Sequence, residues 1–273
     1  MAEPNAYTLG HHDSVLAVHR WRTIANSAAY LEPELVPGRT LLDVGCGPGT
    51  VTVEFGQRLG DDSVTGVDMS DTAIAAARAF AAASGSAVRF DTADALALPF
   101  DAESFDIVHT HQTLQHVPDP VAMLRSMSRV ARPSGVIAAR EVDYGATTWY
   151  PLLPALDKWL ELYRRVHRAT SGEPDAARHL VAWARAAGLQ NIRVSGSTWV
   201  FAMPEERAWW GGAWAVRAVE SDFAKHAIDG GHASSADLAR ISAAWREWAE
   251  HDDAWFSMTH GELLAAPSPA ETP

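Results

Sequence analysis

The chain has one cysteine, Cys46, in 273 residues, which excludes an intrachain disulfide and any metal site built from several thiolates. It is also short of positive charge: 22 Lys and Arg stand against 34 Asp and Glu, a formal net charge of −12. Without a basic run there is no electrostatic footprint for a phosphate backbone, so no nucleic-acid partner is expected. No stretch approaches about 18 consecutive apolar residues, and the first residues lack the charged start and apolar core of a secretory signal. The expectation is a cytoplasmic protein with no membrane insertion. Histidine is plentiful, at 12 residues, but neither His11-His12 nor the run from His109 to His116 contains a helical His-x-x-x-His pair, and no metal is expected. What is present is apolar material: 47% hydrophobic residues suffice for a sizeable core.

The most informative segment is Asp43-Val44-Gly45-Cys46-Gly47-Pro48-Gly49-Thr50. Arg39 to Leu42 reads as an incoming buried strand and Thr50 to Leu59 as an outgoing helix, which puts three glycines at a strand-to-helix turn. There a helix presents free N–H groups, and residues without a Cβ let the backbone approach a ligand closely. Gly49 follows Gly47 by two residues, whereas a pyrophosphate fingerprint has its third glycine three residues on. Cys46 is read as a small residue filling the turn; the competing reading is a nucleophile activated by the helix N-terminus.

Acids recur at the ends of further strands. Ser63 to Val67 leads to Asp68, where a carboxylate accepts both hydroxyls of a ribose. Ala87 to Phe90 reads as a third strand, with Asp94-Ala95 beyond it, and Phe105 to Thr110 as a fourth, ending at His111. The text LLDVGCGPGT, VTGVDMS, DTADALALPF, FDIVHTHQTLQHVPDP and LRSMSRVARPSGVI resembles the class I S-adenosylmethionine-dependent methyltransferases, in the small-molecule branch similar to the ubiquinone and menaquinone biosynthesis enzymes. The resemblance covers about residues 39–145. The Asn-Pro-Pro-Tyr type of motif found in many nucleic-acid methyltransferases is missing, because the fourth strand runs into His111-Gln112-Thr113-Leu114.

This resemblance implies an α/β fold: a doubly wound, Rossmann-like sheet of seven strands, the last antiparallel, with a helical N-terminal arm and helical cap insertions. It implies S-adenosyl-L-methionine as cofactor. Gly45, Gly47 and Gly49 would line its methionine and ribose, and Asp43 would act near the methionine ammonium through water. Asp68 would hold the ribose hydroxyls and Met69 the adenine face. Asp94 would read the adenine amine and Ala95 its ring nitrogen. His111 would lie beside the reacting methyl, and from the arm, Tyr7, Trp21 and Arg22 would contact methionine or substrate. For these arm residues, simple packing against the sheet is the competing reading.

The chain is expected to divide into an arm at 1–38, a cofactor-binding core at 39–145, a cap with strands six and seven at 146–264, and a disordered tail at 265–273. Ala17 to Leu31 has helical composition. Ser70 is a plausible N-cap for a helix through Ala83, Pro118 to Arg132 reads as a helix, and Val136 to Val142 as the fifth strand. Helices are expected over 152–169, 174–187, 204–228 and 235–251, with strands near 191–201 and 255–264. Ten of the eleven tryptophans lie at or after Trp149. A helical segment of about 50 residues between the last two strands, rich in such rings, suggests a lid for an apolar or aromatic acceptor; core packing, or a homodimer interface, would use the same residues.

A sulfonium methyl is already electrophilic, so the protein has to align a nucleophile and exclude water. His111 and His116 are the candidate bases, with Glu141, Asp143 and Tyr144 behind them and Tyr7, His11 and His12 reaching from the arm. For His116 a structural role is the competing reading. Cyclisation or rearrangement by an enzyme of the same fold, a non-catalytic cofactor-binding protein, and a dehydrogenase are the alternatives; Gly49 and Asp94 count against the last.

Overall fold

The computed structural model describes residues 20–269. The strands are β1 (Leu41–Val44), β2 (Val64–Asp68), β3 (Arg89–Thr92), β4 (Phe105–His111), β5 (Ala131–Tyr150), β6 (Gln190–Phe201) and β7 (Trp255–Ala266). They form one seven-stranded sheet in the order β3-β2-β1-β4-β5-β7-β6, parallel from β3 to β5 and closed by an antiparallel last strand. This is the expected doubly wound arrangement. β1 shows why it forms: all four of its residues are buried, as required of a strand covered on both faces.

The helices are α1 (Ile24–Ser27), α2 (Thr50–Leu59), α3 (Asp71–Ala83), α4 (Pro120–Val130), α5 (Pro154–Ala169), α6 (Leu180–Ala186), α7 (Pro204–Glu220), α8 (Asp222–Asp229) and α9 (Ser235–Glu250). Caps set several boundaries. Ser70 accepts from the Ala73 N–H ahead of α3, and Asp119 from the Ala122 N–H ahead of α4, where Pro120 takes the first helical position. Ser234 and Asp237 form a capping box on α9. Among the described residues no helix is long and apolar enough to cross a membrane.

Several boundaries differ from expectation. The N-terminal helix is a four-residue α1 followed by a 3-10 segment, Ala29–Glu34, that carries Pro33. The segment 174–187 divides into a 3-10 turn, Ala176–His179, and α6. The expected helix 204–228 is broken at Ser221, whose extended backbone and side-chain bond to the Arg217 carbonyl end α7. β5 runs eight residues past Val142, and β7 reaches Ala266. Beyond it, Ser268 donates its N–H to Ser128 Oγ at 2.8 Å and its hydroxyl to the Ala187 carbonyl at 3.0 Å, so this stretch is anchored.

The described chain divides into two compact units. The larger holds residues 20–141, Ala176–Gly196 and 261–269; the smaller holds Val142–Asp175 and Ser197–His260. The core of the smaller unit is aromatic. Trp159 meets Trp214 and Trp245 edge to face at centroid distances of 4.6 and 4.8 Å, and Phe256 and Tyr163 extend the cluster. Trp159, Trp214, Trp245 and Trp248 are fully buried. The expectation of a tryptophan-lined acceptor lid is therefore corrected for these four: they fill the core.

Within the same unit Asp175 is nearly buried and accepts from Arg164 at 2.5 Å, Arg168 at 2.7 Å and the Gly145 N–H at 2.8 Å. Burial alone would raise its carboxyl, but these donors outweigh it and hold the group below the usual carboxylate range. A depressed folded-state pKa contributes stability above the unfolded value, lost as pH falls through the folded one. Asp175→Ala should cost about 1–3 kcal/mol at pH 7, both arginines being partly solvated. Urea titrations of the two proteins should show that difference shrinking below about pH 4.

Candidate functional site

The glycine turn belongs to the larger unit and is built on β2. The Gly45 and Cys46 N–H groups donate to the Val67 carbonyl at 2.8 and 3.0 Å, and the Gly47 N–H to Asp68 Oδ2 at 3.0 Å. Gly45, Gly47 and Gly49 all have positive φ, at 77°, 55° and 79°. At two of them the missing Cβ also makes room. A Cβ on Gly49 would stand 2.9 Å from Ala77 and Phe90, so this glycine seats α2 against its neighbours. One on Gly45 would stand 2.1 Å from Thr113 Oγ1.

Asp68 also accepts from the Ser70 N–H through Oδ1 at 2.9 Å. These bonds fix the orientation of the carboxylate at the end of β2. Met69 beside it is 64% exposed, an apolar surface facing solvent. Asp94 is exposed and accepts from the Leu96 N–H at 2.9 Å, which shapes the turn after β3; Ala95 packs against the core. The turn, Asp68-Met69 and Asp94-Ala95 thus stand at the C-terminal ends of adjacent parallel strands, where doubly wound folds bind ligands.

Asp43 lies beneath the turn, at the end of β1. It is buried, with Oδ2 accepting from the Thr52 hydroxyl at 2.6 Å and Oδ1 2.8 Å from His109 Nδ1. It ties β1 to α2 and β4 beneath the turn. Cys46 is half-buried, and desolvation followed by the charges of Asp43 and Asp68 pushes its thiol well up, which favours the packing reading over a nucleophile.

At the tip of β4, His111 is buried and pairs in register with Arg140. The chain then turns sharply at Gln112, whose φ is 52°, into the 3-10 segment Leu114–His116, where His116 is partly buried. Arg22 Nη2 donates to Gln112 Oε1 at 2.6 Å, so this arm residue does reach the turn. Tyr7, His11 and His12 lie outside the described residues. Asp143 and Tyr144 belong to the smaller unit, where the Tyr144 ring lies against that of Tyr163, tilted by 37° with the centroids 4.3 Å apart.

Two contributors, Thr113 and His109, were poorly marked in the sequence, and Glu141 was marked only as a candidate base. Glu141 is fully buried and its Oε1 accepts from the Thr113 and Leu114 N–H groups at 2.8 and 2.7 Å. Thr113 fills the space over Gly45. His109 supports Asp43. A run of Arg140-Glu141 inside an apolar strand was the available signal, since buried charges are kept where they are bonded. Arg140 itself sits 3.5 Å from Glu262, which also accepts from Ser195 at 2.7 Å; burial lowers the guanidinium to about 10 against the opposing pull of Glu262.

Residues 35–192 match the methyltransferase domain family. The chain belongs to that family. An uncharacterized methyltransferase of Schizosaccharomyces pombe is 33% identical over 94% of this chain and 95% of its own length. The demethylmenaquinone methyltransferase of Roseiflexus castenholzii is 39% identical over 60% of this chain and 66% of its own. Among solved structures, the [4+2]-cyclase SpnF superposes with a TM-score of 0.51 at 20% identity, over 94% of this chain and 81% of that one; this likeness is one of fold. The resemblance to class I S-adenosylmethionine-dependent methyltransferases drawn from the motifs therefore stands.

Proposed function

We propose that this methyltransferase transfers the methyl group of S-adenosyl-L-methionine to an oxygen, carbon or nitrogen atom of a hydrophobic or aromatic small molecule. The reading is carried by the Gly45–Gly49 turn, bonded to the Val67 carbonyl and to Asp68. The cofactor, when bound, supplies an electrophilic methyl on a sulfonium. The three glycines admit the ligand to the backbone, the Asp68 carboxylate takes the ribose hydroxyls, and Met69 covers the adenine face. Asp94 accepts from the adenine amine and the Ala95 N–H donates to the ring. Asp43 acts from beneath, holding β1, α2 and β4 together through Thr52 and His109. Arg22 braces the Gln112 turn. His111 and His116 are the candidates for holding the acceptor's proton.

Calorimetric titration tests this reading. S-adenosylmethionine and S-adenosylhomocysteine should bind and NAD(H) should not. Asp68→Ala should weaken both by about 2–4 kcal/mol, roughly 30- to 1,000-fold, the loss of charge-assisted bonds to two hydroxyls. Incubation with a panel of phenols, enols and amines should then give products heavier by one methylene unit. An isomerised acceptor of unchanged mass would replace transfer with cyclisation, and binding of NAD(H) alone would overturn the proposal.

A further inference from the structure

Glu141 has one oxygen engaged and one not. Oε1 takes the N–H groups of Thr113 and Leu114, while Oε2 is buried and has no hydrogen-bond partner among the described residues. A bare anionic oxygen in such a place is strongly disfavoured, whereas a proton on Oε2 leaves Oε1 as the acceptor for both N–H groups. The group is only one residue from the cofactor turn: Thr113 donates to it through its backbone and fills the space over Gly45 with its side chain.

We propose that Glu141 is a positioning residue that reads the charge of the bound cofactor, giving up a proton to solvent when the sulfonium is held and keeping it when the neutral thioether product is held. The proposal rests on the methyltransferase reading above. Burial, the leading influence, raises this carboxyl to about 8, against the Leu114, Thr113 and Gln115 N–H groups and the positive charge of Arg22. Tyr30 on the Ala29–Glu34 segment feels its charge together with those of Arg140, Glu262 and Asp43; Arg140 adjoins it on β5, and His111 and His116 stand at the two ends of the turn it holds. Set near 8, the carboxyl responds within the neutral range. A unit positive charge about 10 Å from a buried carboxyl moves its titration down by about one pH unit. Binding a sulfonium at pH 7.5 would then release about half a proton, and the product would release none. The consequence is selective: the anionic form favours the methyl donor, and its reprotonation after transfer weakens no contact of the neutral product.

The test is calorimetry at pH 7.5 in buffers of different ionisation enthalpy, which counts protons exchanged on binding S-adenosylmethionine or S-adenosylhomocysteine. The wild type should release about half a proton more than Glu141→Gln with the first ligand and the same as that variant with the second. Gln keeps an acceptor for the Thr113 and Leu114 N–H groups, so both ligands should still bind. Infrared difference spectra of the wild type give a reading independent of the variant's folding: a protonated-carboxyl band should be lost on binding the sulfonium and retained with the thioether. Equal proton counts for the two ligands, equal counts in wild type and Glu141→Gln, or an unchanged carboxyl band would overturn the inference. Failure of the wild type to bind either ligand would instead overturn the cofactor assignment.

Discussion

Gly45→Ala is expected to lower affinity for S-adenosylmethionine by at least about 100-fold and to destabilise the fold by about 3 kcal/mol. Two costs add. The φ of 77° at Gly45 penalises any Cβ by about 1–2 kcal/mol, and the new methyl would stand 2.1 Å from Thr113 Oγ1, 2.6 Å from its Cγ2 and 2.9 Å from its Cβ. No rotation of a β-branched side chain clears all three atoms, and the Thr113 backbone is held by Glu141. The turn therefore has to move, at about 1–3 kcal/mol for overpacking. Gly85→Ala separates the terms, since Gly85 has a φ of 68° with nothing within 4 Å of the added methyl. It should cost only the backbone penalty and leave affinity unchanged. Thr113→Ala in the Gly45→Ala background should recover part of the lost affinity, because it removes the two nearest atoms but not the φ strain. Titration calorimetry and thermal melts of the wild type, Gly45→Ala, Thr113→Ala and the double variant form the cycle. Full affinity in Gly45→Ala would show that Thr113 does not close on the turn as described.

The same pair of residues marks how far the sequence could be read. Gly45, Gly47 and Gly49 announce a turn because positive φ leaves a mark on residue choice, and Asp68 is legible because it ends an apolar run at a set distance from them. Thr113 carries no such mark: its contact with Gly45 joins β1 to the turn after β4 and exists only once the sheet is ordered. Asp43 was legible as a residue but not as a partner of His109 and Thr52, since the side to which a strand residue points depends on what covers the sheet. The continuation of β5 was readable in principle. Thr147 and Trp149 are buried while Thr148 and Tyr150 are exposed, a two-residue alternation of β-branched and aromatic residues, hidden by Gly145 in its path. Glu141 was legible as an acid beside the site but not as the acceptor of the Thr113 and Leu114 N–H groups, a contact that also exists only once β4 and β5 lie side by side.

Trp159→Ala is expected to cost about 3–5 kcal/mol, the usual range for removing a fully buried tryptophan, and to lower the melting temperature by about 10 °C. The Trp159 ring makes T-shaped contacts with those of Trp214 and Trp245, at interplanar angles of 74° and 86°, the arrangement favoured by ring quadrupoles. Its loss leaves a void that the other rings, fixed by Phe256 and Tyr163, cannot close. Trp159→Phe should cost much less, below about 2 kcal/mol. The indole N–H has no hydrogen-bond acceptor among the described residues, so a phenyl ring gives up area but no bond. By contrast, Trp248 Nε1 donates to the Tyr150 carbonyl at 3.0 Å, and Trp248→Phe should carry about 1 kcal/mol beyond its lost area. Urea unfolding of the three variants checks the order, and a Trp159→Phe cost equal to that of Trp159→Ala would mean that the N–H is bonded after all. Substitutions in the buried cluster should move stability, whereas Tyr150→Ala and Trp255→Ala, at side chains 53% and 37% exposed, should leave the melting temperature within about 2 °C.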